Sequence, residues 1–157
     1  MKKIFAMLLA VVLMLGAVGC GGSDDGAAAA PGVELSGVYE SVADKLPSMM
    51  LMDADSMMNF YGVDASLCSQ YVMAICADGL RADEVWLLEA NDEAALAELK
   101  EMAEYRLEAK EGETINYLPD QYEIVKEAEL YTKGLVLVFI VSPDVDAIKS
   151  AVDAAIG

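Results

Sequence analysis

Along the chain the apolar positions switch between helical and extended spacing, and the switches mark out the elements. Val38, Val42, Leu46 and Met49 recur at four, four and three residues, one stripe of a helix that Ser36 can cap and Pro47 frays. A Met-rich stretch without periodicity follows and turns at Gly62. Tyr71 to Ala77 is a nearly unbroken apolar run of strand length, Asp78-Gly79 turns the chain, and Glu84 to Glu89, containing Val85-Trp86-Leu87-Leu88, is the return strand.

Asn91 caps a long helix whose first turn carries Asp92 and Glu93, where the helix dipole favours anions. Leu96, Leu99, Ala103 and Leu107 face inward, while Glu98, Lys100, Glu101, Glu104, Glu108, Lys110 and Glu111 form a solvated outer face. Leu118-Pro119-Asp120 reads as a short helical turn, Ile124 to Thr132 as a third strand and Leu135 to Val141 as a fourth. Lys133-Gly134 lies between them, where a tight hairpin needs positive φ. Ser142-Pro143-Asp144 starts a last helix in which Val145, Ile148, Val152 and Ile156 repeat at three, four and four. A hairpin leading into a helix thus occurs twice with the same inward spacing. The expected fold is a single α+β domain, an antiparallel four-stranded sheet with helices on one face in the order α-ββα-ββα. The other face is expected to be open and is the place to look for binding.

The first residues follow a different logic. Lys2 and Lys3 precede an apolar run from Ile4 to Val18, the order of a secretory signal. The run is shorter than the roughly 20 residues of a spanning helix. It ends in Ala17-Val18-Gly19-Cys20, which resembles the lipobox read by lipoprotein signal peptidase, with Ala17 where Leu is commoner. Two or three acyl chains on Cys20 would anchor the protein stably where one would not. Gly21 to Gly32 is a small-residue tether. The expected organisation is therefore a signal peptide over 1–19, a lipidated cysteine and tether over 20–33, and a folded domain over 34–157, held by lipid at the outer surface of the cell membrane.

Composition narrows the chemistry. Apolar residues make up 56% of the chain, too many for a disordered one. The net charge is -17, and loss of Lys2 and Lys3 on cleavage takes it to -19. That surface repels nucleic acid and anionic headgroups; it reads first as a solvated face that keeps the protein soluble, and it also suits a basic partner. The chain has no histidine, which excludes Ser-His-Asp, Cys-His and zinc-protease arrangements.

If Cys68 and Cys76 lie on one extended segment they are roughly 26 Å apart at about 3.3 Å per residue, too far for a disulfide, and the apolar run argues against a turn between them. Cys76 reads as a buried small hydrophobe and Cys68 is left open. Met49, Met50, Met52, Met57 and Met58 are soft thioethers that suit copper(I), but they equally fill core gaps, and neither histidine nor a cysteine pair supports a metal. Asp53, Asp55 and Asp64 loosely follow a calcium loop, without its glycine or its closing glutamate. Trp86, Tyr117, Tyr122 and Tyr131 either line a groove or belong to the core and its margin. No residue is assigned to a cofactor, a metal or a catalytic role.

The stretch Ala82-Asp-Glu-Val-Trp-Leu-Leu-Glu-Ala90 with its helix, then Tyr117-Leu-Pro-Asp-Gln-Tyr-Glu-Ile-Val125, then the hairpin ending Val141-Ser-Pro-Asp144, resembles a family of bacterial lipoproteins catalogued as domain of unknown function 4358. The resemblance runs from about Val38 to the carboxyl terminus, implies a lipoprotein, and transfers no activity or site. The expected function is a non-enzymatic, membrane-anchored extracytoplasmic lipoprotein binding a partner protein or envelope component. The alternatives are a small-ligand or metal binder accessory to a transporter and, last, a carboxylate-based hydrolase.

Overall fold

A computed structural model describes residues 33–157; the expected signal segment, Cys20 and the tether to Gly32 lie outside the described residues. In chain order the elements are α1 Leu35–Glu40, β1 Met49–Leu51, α2 Ala54–Tyr61, β2 Cys68–Cys76, β3 Glu84–Ala90, α3 Glu93–Thr114, α4 Pro119–Lys126, β4 Glu129–Lys133, β5 Val136–Val141 and α5 Val145–Ile156.

The strands form one antiparallel sheet in the order β1-β2-β3-β5-β4. It has five strands, where four were expected. The missed strand, β1, is three residues within the Met-rich stretch, too short for a period to show. It exists because the uncovered edge of β2 supplies its hydrogen bonds, with Met49 opposite Cys76 and Leu51 opposite Ala74.

The helices do not share one face, which corrects the second part of the expectation. In β5 every residue is buried. Val136, Val138 and Ile140 pack with Leu35, Val38, Ile148, Val152 and Ile156 from α1 and α5. Leu137, Phe139 and Val141 pack on the opposite side with Met57, Leu99, Ala103 and Val125 from α2, α3 and α4. Side chains alternate across a strand, so a strand buried at every position must be covered twice. The two hairpin-helix halves are present, and they send α3 and α5 to opposite faces.

Boundaries moved where local chemistry competed. Asp92, not Asn91, caps α3 by accepting from the Ala95 N–H, while the Asn91 amide donates to the Ser66 carbonyl. The segment read as a third strand from Ile124 is divided: Pro119 opens α4, whose first turn its fixed φ suits, and only Glu129–Lys133 is extended. Ser36 lies inside α1 rather than capping it. Pro143 precedes α5, because the Ser142 hydroxyl accepts from the Asp144 N–H and turns the chain before the helix starts. Gly134 has φ 57 and closes the β4–β5 hairpin as expected. At the start of the domain Gln70 acts as a clamp, donating to the Val33 carbonyl and accepting from the Leu35 N–H.

If the α1/α5 face is a true core, Ile148→Ala lowers stability by about 2–5 kcal/mol in urea unfolding, the usual effect of emptying a buried aliphatic site. A change within about 0.5 kcal/mol, the usual range for a surface position, would mean that the face is not packed.

Candidate functional site

Glu84 begins β3 with 0% of its surface exposed. A carboxylate in that position must be answered by donors, and α3 provides them. Arg106 Nε lies 3.1 and 3.2 Å from the two carboxylate oxygens and Nη2 lies 2.9 Å from Oε2. Lys110 Nζ lies 2.8 Å from Oε2 and also donates to the Ala82 carbonyl at 2.7 Å. The indole N–H of Trp86 donates to Oε1 at 2.7 Å. The residue expected on the wet face of α3, Lys110, is 4% exposed. It stands one turn beyond Arg106, on the side of the helix that meets the start of β3, and Glu84 makes that inward position tolerable. Beside it, Asp83 is buried with only one oxygen engaged, by Arg81 Nε at 3.0 Å, and Oδ1 has no partner.

Above this cluster the surface opens. The guanidinium carbon of Arg106 stands 5.1 Å over the ring of Tyr61. Phe60, Tyr61, Trp86 and Phe139 form an edge-to-face column from surface to core, with centroid separations of 6.5, 6.5 and 5.4 Å. Burial and the nearby Glu84 charge push the Tyr61 hydroxyl up, so it stays protonated. Burial works against the Arg106 charge, but the Glu84 hydrogen bonds and the Glu113 carboxylate outweigh it and raise its pKa. Two adjoining hollows of about 490 and 380 Å³ share Tyr61, Gly62 and Tyr105 and form one trough along α3. Gly62, in the left-handed conformation at φ 70, ends α2 and turns the chain away beside it. Phe60 is 75% exposed and Tyr105 73%. Glu98 and Glu101 line one end, Glu113 the other.

The residues singled out from the sequence are not gathered at this trough. Trp86 is core, Tyr117 is exposed elsewhere, Tyr122 lies beside Lys126, and Tyr131 donates to Asp153. Met57 is fully buried, Met52 packs against the same core, Met49 is partly buried in β1, and Met50 and Met58 are exposed, so the five methionines serve different surroundings. Asp53 accepts from the Ser56 N–H and Asp64 from the Ser66 N–H, so both cap turns, and those bonds hold their carboxyls below the usual range. Among the described residues no group of three or more His, Cys, Asp or Glu is arranged to hold a metal ion. Cys68 and Cys76 occupy the two ends of β2 as free thiols. Phe60, Tyr61 and Tyr105 were missed; the one signal for them was an aromatic, Tyr105, on a face otherwise charged.

Residues 41–142 match the family described as Domain of unknown function (DUF4358). The chain belongs to this family. The match begins within the turn after α1 and ends at Ser142, so it takes in the whole DUF4358 sheet, the Glu84 cluster and the trough. No curated protein and no solved structure matches the chain. No helix among the described residues is long and apolar enough to cross a membrane.

Two measurements check this geometry. Glu84→Gln leaves the buried Lys110 without its counter-charge and Arg106 with only Glu113, and equilibrium unfolding should show a loss of about 3–5 kcal/mol; Asp83→Asn, at a site already half satisfied, should cost distinctly less. Burial pushes the Cys68 thiol up to about 11. Its alkylation in the native protein should therefore be slow at pH 8 and climb toward pH 11, and a plateau near the free-cysteine value of about 8.5 would contradict the burial.

Proposed function

We propose that this DUF4358 member is an extracytoplasmic lipoprotein, held at the outer surface of the cell membrane by lipid on Cys20, whose domain binds a partner protein without catalysing a reaction. The trough along α3 is the observation that carries the binding role. Exposed aromatic rings such as Phe60, at the head of the aromatic column, and Tyr105 beside it are what interface anchors consist of, because they present a large apolar area with few rotatable bonds. Scattered exposed apolar residues are ordinary on a surface; two rings flanking one hollow are a patch. The reactive groups that might argue for an enzyme have structural duties: Glu84 is saturated by its donors, the Cys68 thiol is held protonated, and no histidine is available.

The anchoring reading rests on Lys2, Lys3, the apolar run to Val18 and Cys20. Cys20→Ser should abolish lipid attachment and the membrane fraction should lose the protein; an unmodified Cys20 in protein extracted from membranes would overturn the anchor. For the binding role, a photoreactive residue in place of Tyr105 should give a discrete crosslinked product in intact cells. The same residue at the equally exposed Tyr117, away from the trough, should not. Equal yields at both positions would remove the trough from the interface.

A further inference from the structure

We infer that the trough takes a positively charged, partly apolar segment of a partner protein, with a Lys or Arg side chain seated between the aromatic rings and the carboxylates of Glu98 and Glu101. This rests on the binding role proposed above and adds the chemistry of the occupant. The argument begins with where the cations of α3 go. The helix has three, Lys100, Arg106 and Lys110. Arg106 and Lys110 turn inward to Glu84, and Lys100 lies 3.6 Å from Glu104. Glu98 and Glu101, which line the trough, are left without an ion-pair partner among the described residues.

Carboxylates beside exposed aromatic side chains suit one kind of guest. A cation gains from the carboxylates and from the electron-rich ring faces together, and its aliphatic stem covers apolar surface. An anionic guest would meet Glu98, Glu101 and Glu113, and the one cation on the floor, Arg106, already answers Glu84 and Glu113. The chain's net charge of -17 adds a long-range field that draws basic segments in and weakens with salt.

The test uses the full chain in non-ionic detergent and a fluorescent amphipathic peptide with Lys at every charged position, beside a twin with Glu there. Anisotropy should show the Lys peptide binding and the Glu twin not. Glu98→Gln combined with Glu101→Gln, and separately Tyr105→Ala, should each raise Kd about tenfold, the effect of losing an interface anchor. Glu123→Gln combined with Glu127→Gln removes the same charge from another surface and should leave Kd unchanged. Equal weakening by both double variants would reduce the effect to bulk charge, tighter binding of the Glu twin would make Arg106 the recognising group, and binding of neither peptide would rule out the cationic occupant. If the inference fails in any of these ways while crosslinking at position 105 persists in cells, only the occupant's chemistry falls; if that crosslink is also absent, the docking role falls with it.

Discussion

Glu84 is a carboxylate shut away from water at the start of the central strand pair, and two cations of one helix answer it. A buried charge of either sign is costly alone, so the three groups are tolerated only together and only with the geometry that fills both carboxylate oxygens. That requirement fixes the register of α3 on the sheet. Arg106 and Lys110 must stand over the first residue of β3, and the rest of the helix follows from there: Leu99 and Ala103 fall onto the core and Tyr105 falls outside. A second consequence is electrostatic. Cations drawn inward no longer balance the carboxylates outside, so a helix that looks mixed in sequence presents an acidic surface.

The sheet has a constraint of its own. β2, β3 and β5 are the inner strands, each flanked on both sides; β5 is apolar throughout and β3 is apolar without alternation from Val85 to Leu88. Residues of this kind cannot leave one face wet, so the fold covers both, with α1 and α5 on one side and α2, α3 and α4 on the other. No sheet face is left open, and the hollow lined by exposed rings lies instead on the helix layer, where the end of α2 meets the flank of α3. The aromatic column from Phe60 through Tyr61 and Trp86 to Phe139 ties that surface to the core.

Much of this was legible. The long helix, the two hairpins and the last helix follow from spacing alone, and the inward positions Leu99, Ala103, Ile148 and Val152 are the ones the period selects. The expected open face was wrong, although Leu135 to Val141 carried the signal against it, since a strand with one open face would have shown polar residues at every second place. What misled were positions where two local rules competed. Asn91 and Asp92 are both good caps, and only the contact of Asn91 with the Ser66 carbonyl leaves the role to Asp92. Ile124-Val125 is a β-branched pair that fits the start of a strand, yet Pro119 had already started a helix.

Sequence by itself determined the features that depend on near neighbours: the periods, the Gly134 turn and the absence of histidine chemistry. Tertiary structure alone decided the rest. It paired β1 with β2 although three residues carry no period, it turned Lys110 from an apparently solvated charge into a buried one, and it brought Phe60 and Tyr61 beside Tyr105. Each of these joins residues distant along the chain, and the energy that settles them, a shared edge, a shared charge or a shared surface, exists only once both partners are in place.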